Sequence, residues 1–144
     1  MASRTPRAEK FTQLVNEVFV ANGALLNAGD TLTAEVGLTA AQWQVIGFLE
    51  HGSATVAELA RRRGLRRQSV QETVNRLLRN EMLTRLDNPD DARAPLLQLT
   101  GKAQAALRTL GARQAEWADA AAASLSEEDV ETTLRTLRAL RDVG

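Results

Sequence analysis

Two helix-start signals lying close together in mid-chain constrain the fold more than any bulk property does. Thr39-Ala-Ala-Gln42 and Thr55-Val-Ala-Glu58 both have the form of a capping box. In such a box a Thr side chain and a Gln or Glu three residues on satisfy each other's free backbone donors. The helix opened by the first carries Val45, Ile46 and Leu49 on one face and stops at His51-Gly52-Ser53. The helix opened by the second carries Val56, Leu59 and Ala60 and stops at Gly64. A third helix is expected from about Arg67 to Asn80, with Val70, Val74 and Leu77 along one side. Short helices in such close succession read as one compact module.

After that helix the pattern changes. Leu83-Thr-Arg-Leu-Asp87 and Pro95-Leu-Leu-Gln-Leu99 are strand-like, and Asn88-Pro89-Asp90-Asp91 between them is turn-forming. The expectation is a hairpin with a polar, flexible tip. Thr100 then caps a long helix in which Ala103, Leu107, Leu110, Gln114, Trp117 and Ala121 recur in steps of four and three. Those are the a and d positions of a helix that offers a seam to another helix. Ser126 with Asp129 opens a last helix carrying Val130, Leu134 and Leu137. At the other end, Phe11, Leu14, Val15, Val18 and Leu25 mark a first helix that runs into Gly29-Asp30 and continues towards Gly37. The fold class is therefore mainly α with a small β-hairpin. Apolar stripes at both ends favour burial together, within one subunit or across a twofold axis.

The chain has 144 residues, which suits a single domain. It has no cysteine and one histidine, His51. Disulfides, thiolate metal sites and His-rich metal or catalytic constellations are thus excluded. With carboxylates mostly at helix starts and turns, no catalytic set is expected, and no cofactor or metal. The polar opening MASRTPRAEK lacks the apolar core of a signal peptide, and no apolar run approaches a membrane span. A cytoplasmic protein is expected. Formal net charge is zero, but Arg61, Arg62, Arg63, Arg66, Arg67, Arg76 and Arg79 crowd one segment against the single acid Glu72. Taken alone such a block is a solvated face; combined with its position it suggests a nucleic-acid footprint.

Turning 100° per residue, the helix after Leu65 places Gln68, Glu72, Asn75, Arg76 and Arg79 opposite its valine–leucine stripe, flanked by Ser69 and Gln71. Arginine matches guanine O6 and N7, and Asn or Gln matches adenine N6 and N7. Glu72 either accepts from cytosine N4 or pairs with Arg76 one turn on. The end of the preceding helix, Arg61-Arg62-Arg63, and Arg66 are expected near phosphates. In the hairpin, Arg93 can enter a narrow minor groove, aimed by Asp91 through a charge-assisted hydrogen bond; the alternative is a plain surface turn. Trp43 and Phe48, at helical spacing, read as core. His51, near a helix end, is accounted for by the dipole alone.

The ordered pieces Leu38-Thr39-Ala-Ala-Gln42, Val56-Ala-Glu-Leu59-Ala60, Arg67-Gln68-Ser69-Val70, Arg76-Leu77, Leu83-Thr-Arg85, Asp91-Ala-Arg93 and Leu99-Thr100-Gly101 resemble the winged helix-turn-helix regulators of the multiple-antibiotic-resistance regulator (MarR) family. The resemblance implies a DNA-binding lobe over 38–100 and a helical dimerisation region over 8–37 and 101–143. It implies a homodimer on a pseudo-palindromic double-stranded DNA operator, usually acting as a repressor of transcription, and release by a small aromatic or anionic effector. Arg67, Gln68, Ser69, Gln71 and Asn75 fall on the family's major-groove segment, and Arg93 on its wing-tip arginine; the resemblance also implies, as the alternative to core, that Trp43 and Phe48 line an effector cleft. Three positions depart from the pattern. Arg66 stands where a capping Ser or Thr is common, so the helix start needs another cap or frays. Glu81 stands where a glycine usually ends the helix, leaving Asn80 to adopt the left-handed conformation. Ala92 replaces a frequent second wing arginine. The alternative to DNA recognition is a winged-helix module that docks a protein partner.

Overall fold

Helix α1, Pro6–Thr33, begins where Thr5 accepts a hydrogen bond from the Ala8 amide and Pro6 supplies a preset first turn. The computed structural model, which describes residues 3–143, carries this helix past Asp30 into a 3-10 turn, Ala34–Val36. It ends at Gly37, whose φ of 71° needs a residue without Cβ. Gly29 lies within α1 for a packing reason: a Cβ there would stand 2.7 Å from that of Ala40. Next to it, Asp30 Oδ1 accepts from the Ala40 amide at 2.7 Å, so α1 both touches and caps the following helix.

Helix α2, Ala40–Phe48, starts on a complete capping box. The Gln42 amide donates to Thr39 Oγ1 at 3.1 Å, and the Thr39 amide donates to Gln42 Oε1 at 3.0 Å. A 3-10 turn, Leu49–His51, and Gly52 finish it. Helix α3, Val56–Arg63, forms only half of the expected second box. The Glu58 amide donates to Thr55 Oγ1 at 3.1 Å, but the Glu58 carboxylate accepts from the Thr55 hydroxyl instead of the backbone. Gly64, at φ 62°, closes α3. Helix α4, Arg67–Arg79, then buries Val70, Val74 and Leu77 to 2%, 1% and 0% exposure.

Strands β1, Leu83–Leu86, and β2, Leu96–Leu99, are antiparallel, pairing Leu83 with Leu99 and Leu86 with Leu96. Each is one residue shorter than its sequence run. Pro95 has no N–H to give to the ladder, and Asp87 already belongs to the turn. Ala54, just before α3, bridges Leu97, which ties the hairpin to the helical module. Leu83 and Leu97 turn inward with Ala54, and Thr84 and Arg85 face solvent.

Helix α5, Gly101–Ala122, starts with Thr100 Oγ1 accepting from the Ala103 amide at 3.2 Å. Its first half supplies Ala103, Ala106 and Leu110 to one core shared with Ile46, Leu59, Val70, Val74, Leu77 and Leu97. Leu107, expected on the seam, is partly buried against that core, and Ala106 joins it from beside the seam.

The residues up to Leu110 form one compact unit and those from Gly111 onwards another. In the second, α5 ends at Ala122 and Ser126 caps α6, Glu127–Leu140, by accepting from the Asp129 amide at 3.0 Å. Glu127, Glu128 and Asp129 fill the first turn of α6, where negative charge suits the helix dipole. No residue of α6 is buried. No helix among the described residues is long and apolar enough to cross a membrane.

Candidate nucleic-acid interface

The candidate surface is built from the outer side of α4, the end of α3 and the hairpin tip. Because Val70, Val74 and Leu77 anchor α4 against α2 and α3, Arg67, Gln68, Ser69, Gln71, Glu72, Arg76 and Arg79 are all exposed, with Asn75 half-buried. Gln71 Nε2 donates to Asn75 Oδ1 at 2.9 Å. The two carboxamides thus stand one turn apart as a prearranged pair, and each keeps free capacity for an outside partner. Among the described residues no ion pair joins Glu72 to Arg76, so the intrahelical role open to that carboxylate is not taken up.

At the start of α4, Arg66 is in the extended conformation and no side chain caps the helix. The first-turn amides are left without a side-chain acceptor, a state that favours an anionic partner. At the other end the expected assignment of the left-handed residue is reversed. Asn80 has φ −89° and Glu81 has φ 60°. Across the junction, Thr100 Oγ1 donates to the Glu81 carbonyl at 2.7 Å and Lys102 Nζ to the Asn80 carbonyl at 2.8 Å. The Met82 amide meanwhile returns to the Leu77 carbonyl at 2.9 Å.

Of the three arginines ending α3, Arg61 and Arg62 are exposed, but Arg63 turns towards α2. Its guanidinium lies 5.4 Å from the centroid of the Phe48 ring, and its Nη2 donates to Gln44 Oε1. Burial lowers the pKa of this guanidinium from its usual value. Of the three, Arg61 and Arg62 are the ones whose side chains stand exposed. The cue to this was legible only in part: Gln44 and Phe48 share one side of a helix, but nothing local says which arginine reaches them.

The hairpin tip is spanned by hydrogen bonds from side chains to backbone. Asn88 Nδ2 donates to the Ala94 carbonyl at 2.9 Å, while Asn88 Oδ1 accepts from the Asp90 amide at 3.0 Å. Asp91 Oδ1 accepts from the Arg93 backbone amide at 2.9 Å. Among the described residues Asp91 makes no ion pair with the Arg93 guanidinium. Asp91 thus shapes the backbone that carries Arg93 and leaves its side chain free in solvent. Sequence reasoning missed Asn88 as the brace, although Asn at the head of a turn is a common signal for one.

Trp43 and Phe48 are half-buried and pack against the core, and His51 is exposed at the end of its 3-10 turn. One face of Phe48 is already taken by Arg63.

A model of the MarR family matches residues 36–94, the span from the end of α1 to the wing tip. An uncharacterised protein of Mycobacterium tuberculosis is 33% identical over 106 residues, which cover 74% of this chain and 74% of the relative. In structure, a mutant MarR of E. coli complexed with operator DNA superposes with a TM-score of 0.80 at 20% identity, covering 91% of this chain and 95% of that one. The PcaV transcriptional regulator of Streptomyces coelicolor, in complex with its natural ligand, gives a TM-score of 0.75 at 24% identity and covers 99% of both chains. The hairpin is accordingly the wing of a winged helix, α3 and α4 are its helix-turn-helix, and the chain belongs to the MarR family of transcriptional regulators.

Proposed function

We propose that this regulator binds specific double-stranded DNA as a homodimer, with α4 in the major groove and Arg93 of the wing in the minor groove. One observation carries the reading: the side of α4 opposite its buried stripe is exposed, polar and basic. A helix docked on a protein partner would instead present an apolar outer face. Arg67, Gln68, Ser69, Gln71 and Asn75 would read base edges. Arg61, Arg62, Arg66 and Arg76 would hold phosphates, adding affinity and salt dependence.

Dimerisation is supported by apolar surface at both ends. Phe11, Phe19, Val20 and Leu25 of α1 are 43%, 71%, 69% and 58% exposed, and Val130, Leu134 and Leu137 of α6 are exposed too. Residues 8–37 and 101–143 would carry the dimer contacts and 38–100 the DNA contacts. The paired α4 helices would then lie about 34 Å apart, one turn of a pseudo-palindromic operator. The expected mode is repression in the cytoplasm, relieved by a small aromatic or anionic effector near Trp43 and Phe48; a relative solved with its natural ligand supports the effector. The role is regulatory, not enzymatic.

Selection of bound duplexes from randomised DNA, followed by retardation of the best duplex and a scrambled one at two salt concentrations, tests this. A preference for the selected duplex that persists at the higher salt is expected. Equal binding to both, governed by salt alone, would leave α4 without a reading role. Arg93→Ala should weaken the selected complex most where its flanks are rich in A·T pairs.

A further inference from the structure

We infer that Arg63 is a positioning residue: clasped by Phe48 and Gln44, it fixes the end of α3 and so places the uncapped start of α4, where the reading residues stand. The inference rests on the DNA-binding role proposed above and concerns a residue that role would otherwise assign to phosphate.

Three features support it. First, α3 packs chiefly on α4 and makes few close backbone approaches to α2, so a long side chain is needed to tie the end of α3 to that helix. Arg63 supplies it, with its guanidinium over Phe48 and Nη2 on Gln44, two residues one turn apart on α2. Arginine is suited to this because its planar head stacks on a ring while its edge donates. Second, the clasp covers part of the guanidinium. Arg63 Nε is buried and has no hydrogen-bond partner among the described residues, so that edge is not presented to an outside partner.

Third, only three residues separate Arg63 from α4. Gly64 is left-handed, the Leu65 amide returns to the Ala60 carbonyl at 3.0 Å, and Arg66 leads into a helix that no side chain caps. An end that does not cap itself takes its position from what precedes it. The chain of support therefore runs from α2 through Arg63 and the turn to Arg67, Gln68 and Ser69.

The experiment compares Arg63→Gln, Arg63→Lys, Phe48→Leu and the double variant Arg63→Gln/Phe48→Leu with Arg62→Gln, all in the full chain. In the free protein, amide hydrogen exchange over 70–73, the first amides bonded within α4, should quicken in Arg63→Gln and Arg63→Lys and stay unchanged in Arg62→Gln. On the selected duplex, Arg63→Gln should lose about tenfold in affinity with the salt slope unchanged. Arg62→Gln should lower the slope by about one unit. Lysine keeps the charge but cannot stack and fork, so Arg63→Lys should fail to restore binding. Adding Phe48→Leu to Arg63→Gln should cost little more, since both cut one clasp.

A wild-type affinity for Arg63→Lys, together with a lowered salt slope for Arg63→Gln, would make Arg63 an ordinary phosphate contact and overturn the inference. So would unchanged exchange at 70–73. If the wild-type protein selects no duplex, the DNA-binding role itself fails, while the exchange measurement still reports on the clasp.

Discussion

Helices α4 and α6 carry the same apolar stripe with opposite fates. Val70, Val74 and Leu77 repeat the spacing of Val130, Leu134 and Leu137, and the residue types are nearly the same. In α4 the stripe is 2%, 1% and 0% exposed; in α6 it is 38%, 43% and 36% exposed. Periodicity therefore says that a helix has a side to bury, not what buries it. The α4 stripe is covered by its own unit: α2, α3 and the start of the wing close over it. The α6 stripe lies open in the single chain, and the dimer proposed above is the arrangement that would cover it.

That contrast can be broken experimentally, and the largest effect should come from α4. Leu77→Ala removes a fully buried side chain and should cost about 2–5 kcal/mol in denaturant unfolding, whatever the protein concentration. The double change Leu134→Ala/Leu137→Ala should act differently. It should leave the helix content of a dilute sample nearly intact and shift the monomer–dimer equilibrium, read by sedimentation, by about 1–3 kcal/mol. A loss as large as that of Leu77→Ala, and independent of concentration, would show that the α6 stripe is buried within the subunit.

The polar sides of the two helices sharpen the comparison further. Asn75→Ala should change base preference at particular positions of the selected duplex, by about 1–3 kcal/mol for the preferred base. Arg135→Ala, on the polar side of α6, should leave the same binding curve unmoved. Equal effects of the two would remove the distinction between a reading helix and a helix of the dimer region. The smallest effect belongs to the end of α4. Glu81→Gly relieves a left-handed residue that carries a Cβ and should raise unfolding stability by about 1 kcal/mol. Asn80→Gly, at a residue with ordinary negative φ, should gain nothing.

Much of the fold was legible because it is written in short-range terms. Thr39 with Gln42, Thr55, Thr100 and Ser126 each mark a helix start within four residues, and Gly64 marks a stop by its φ alone. The face of α4 likewise follows from spacing. What escaped was which side chains and amides bond at the turns and helix ends. Glu81, and not Asn80, is left-handed, the place just past a helix end that the Met82 amide closes on the Leu77 carbonyl. Asn88 reaches across the hairpin tip to Ala94. Asp91 bonds the Arg93 amide, a detail of turn geometry that the spacing of the pair leaves undetermined.

The amino-acid order alone determined where helices begin, which of their sides are apolar and where arginines crowd, since caps, periodicity and charge act over one or two turns. Only the tertiary structure decided which stripe is covered and which arginine leaves the basic surface. Covering α4 takes residues from α2 to α5, and moving Arg63 off that surface takes a ring and an amide fifteen and nineteen positions earlier in the chain. Interactions across such separations exist only once the chain has folded.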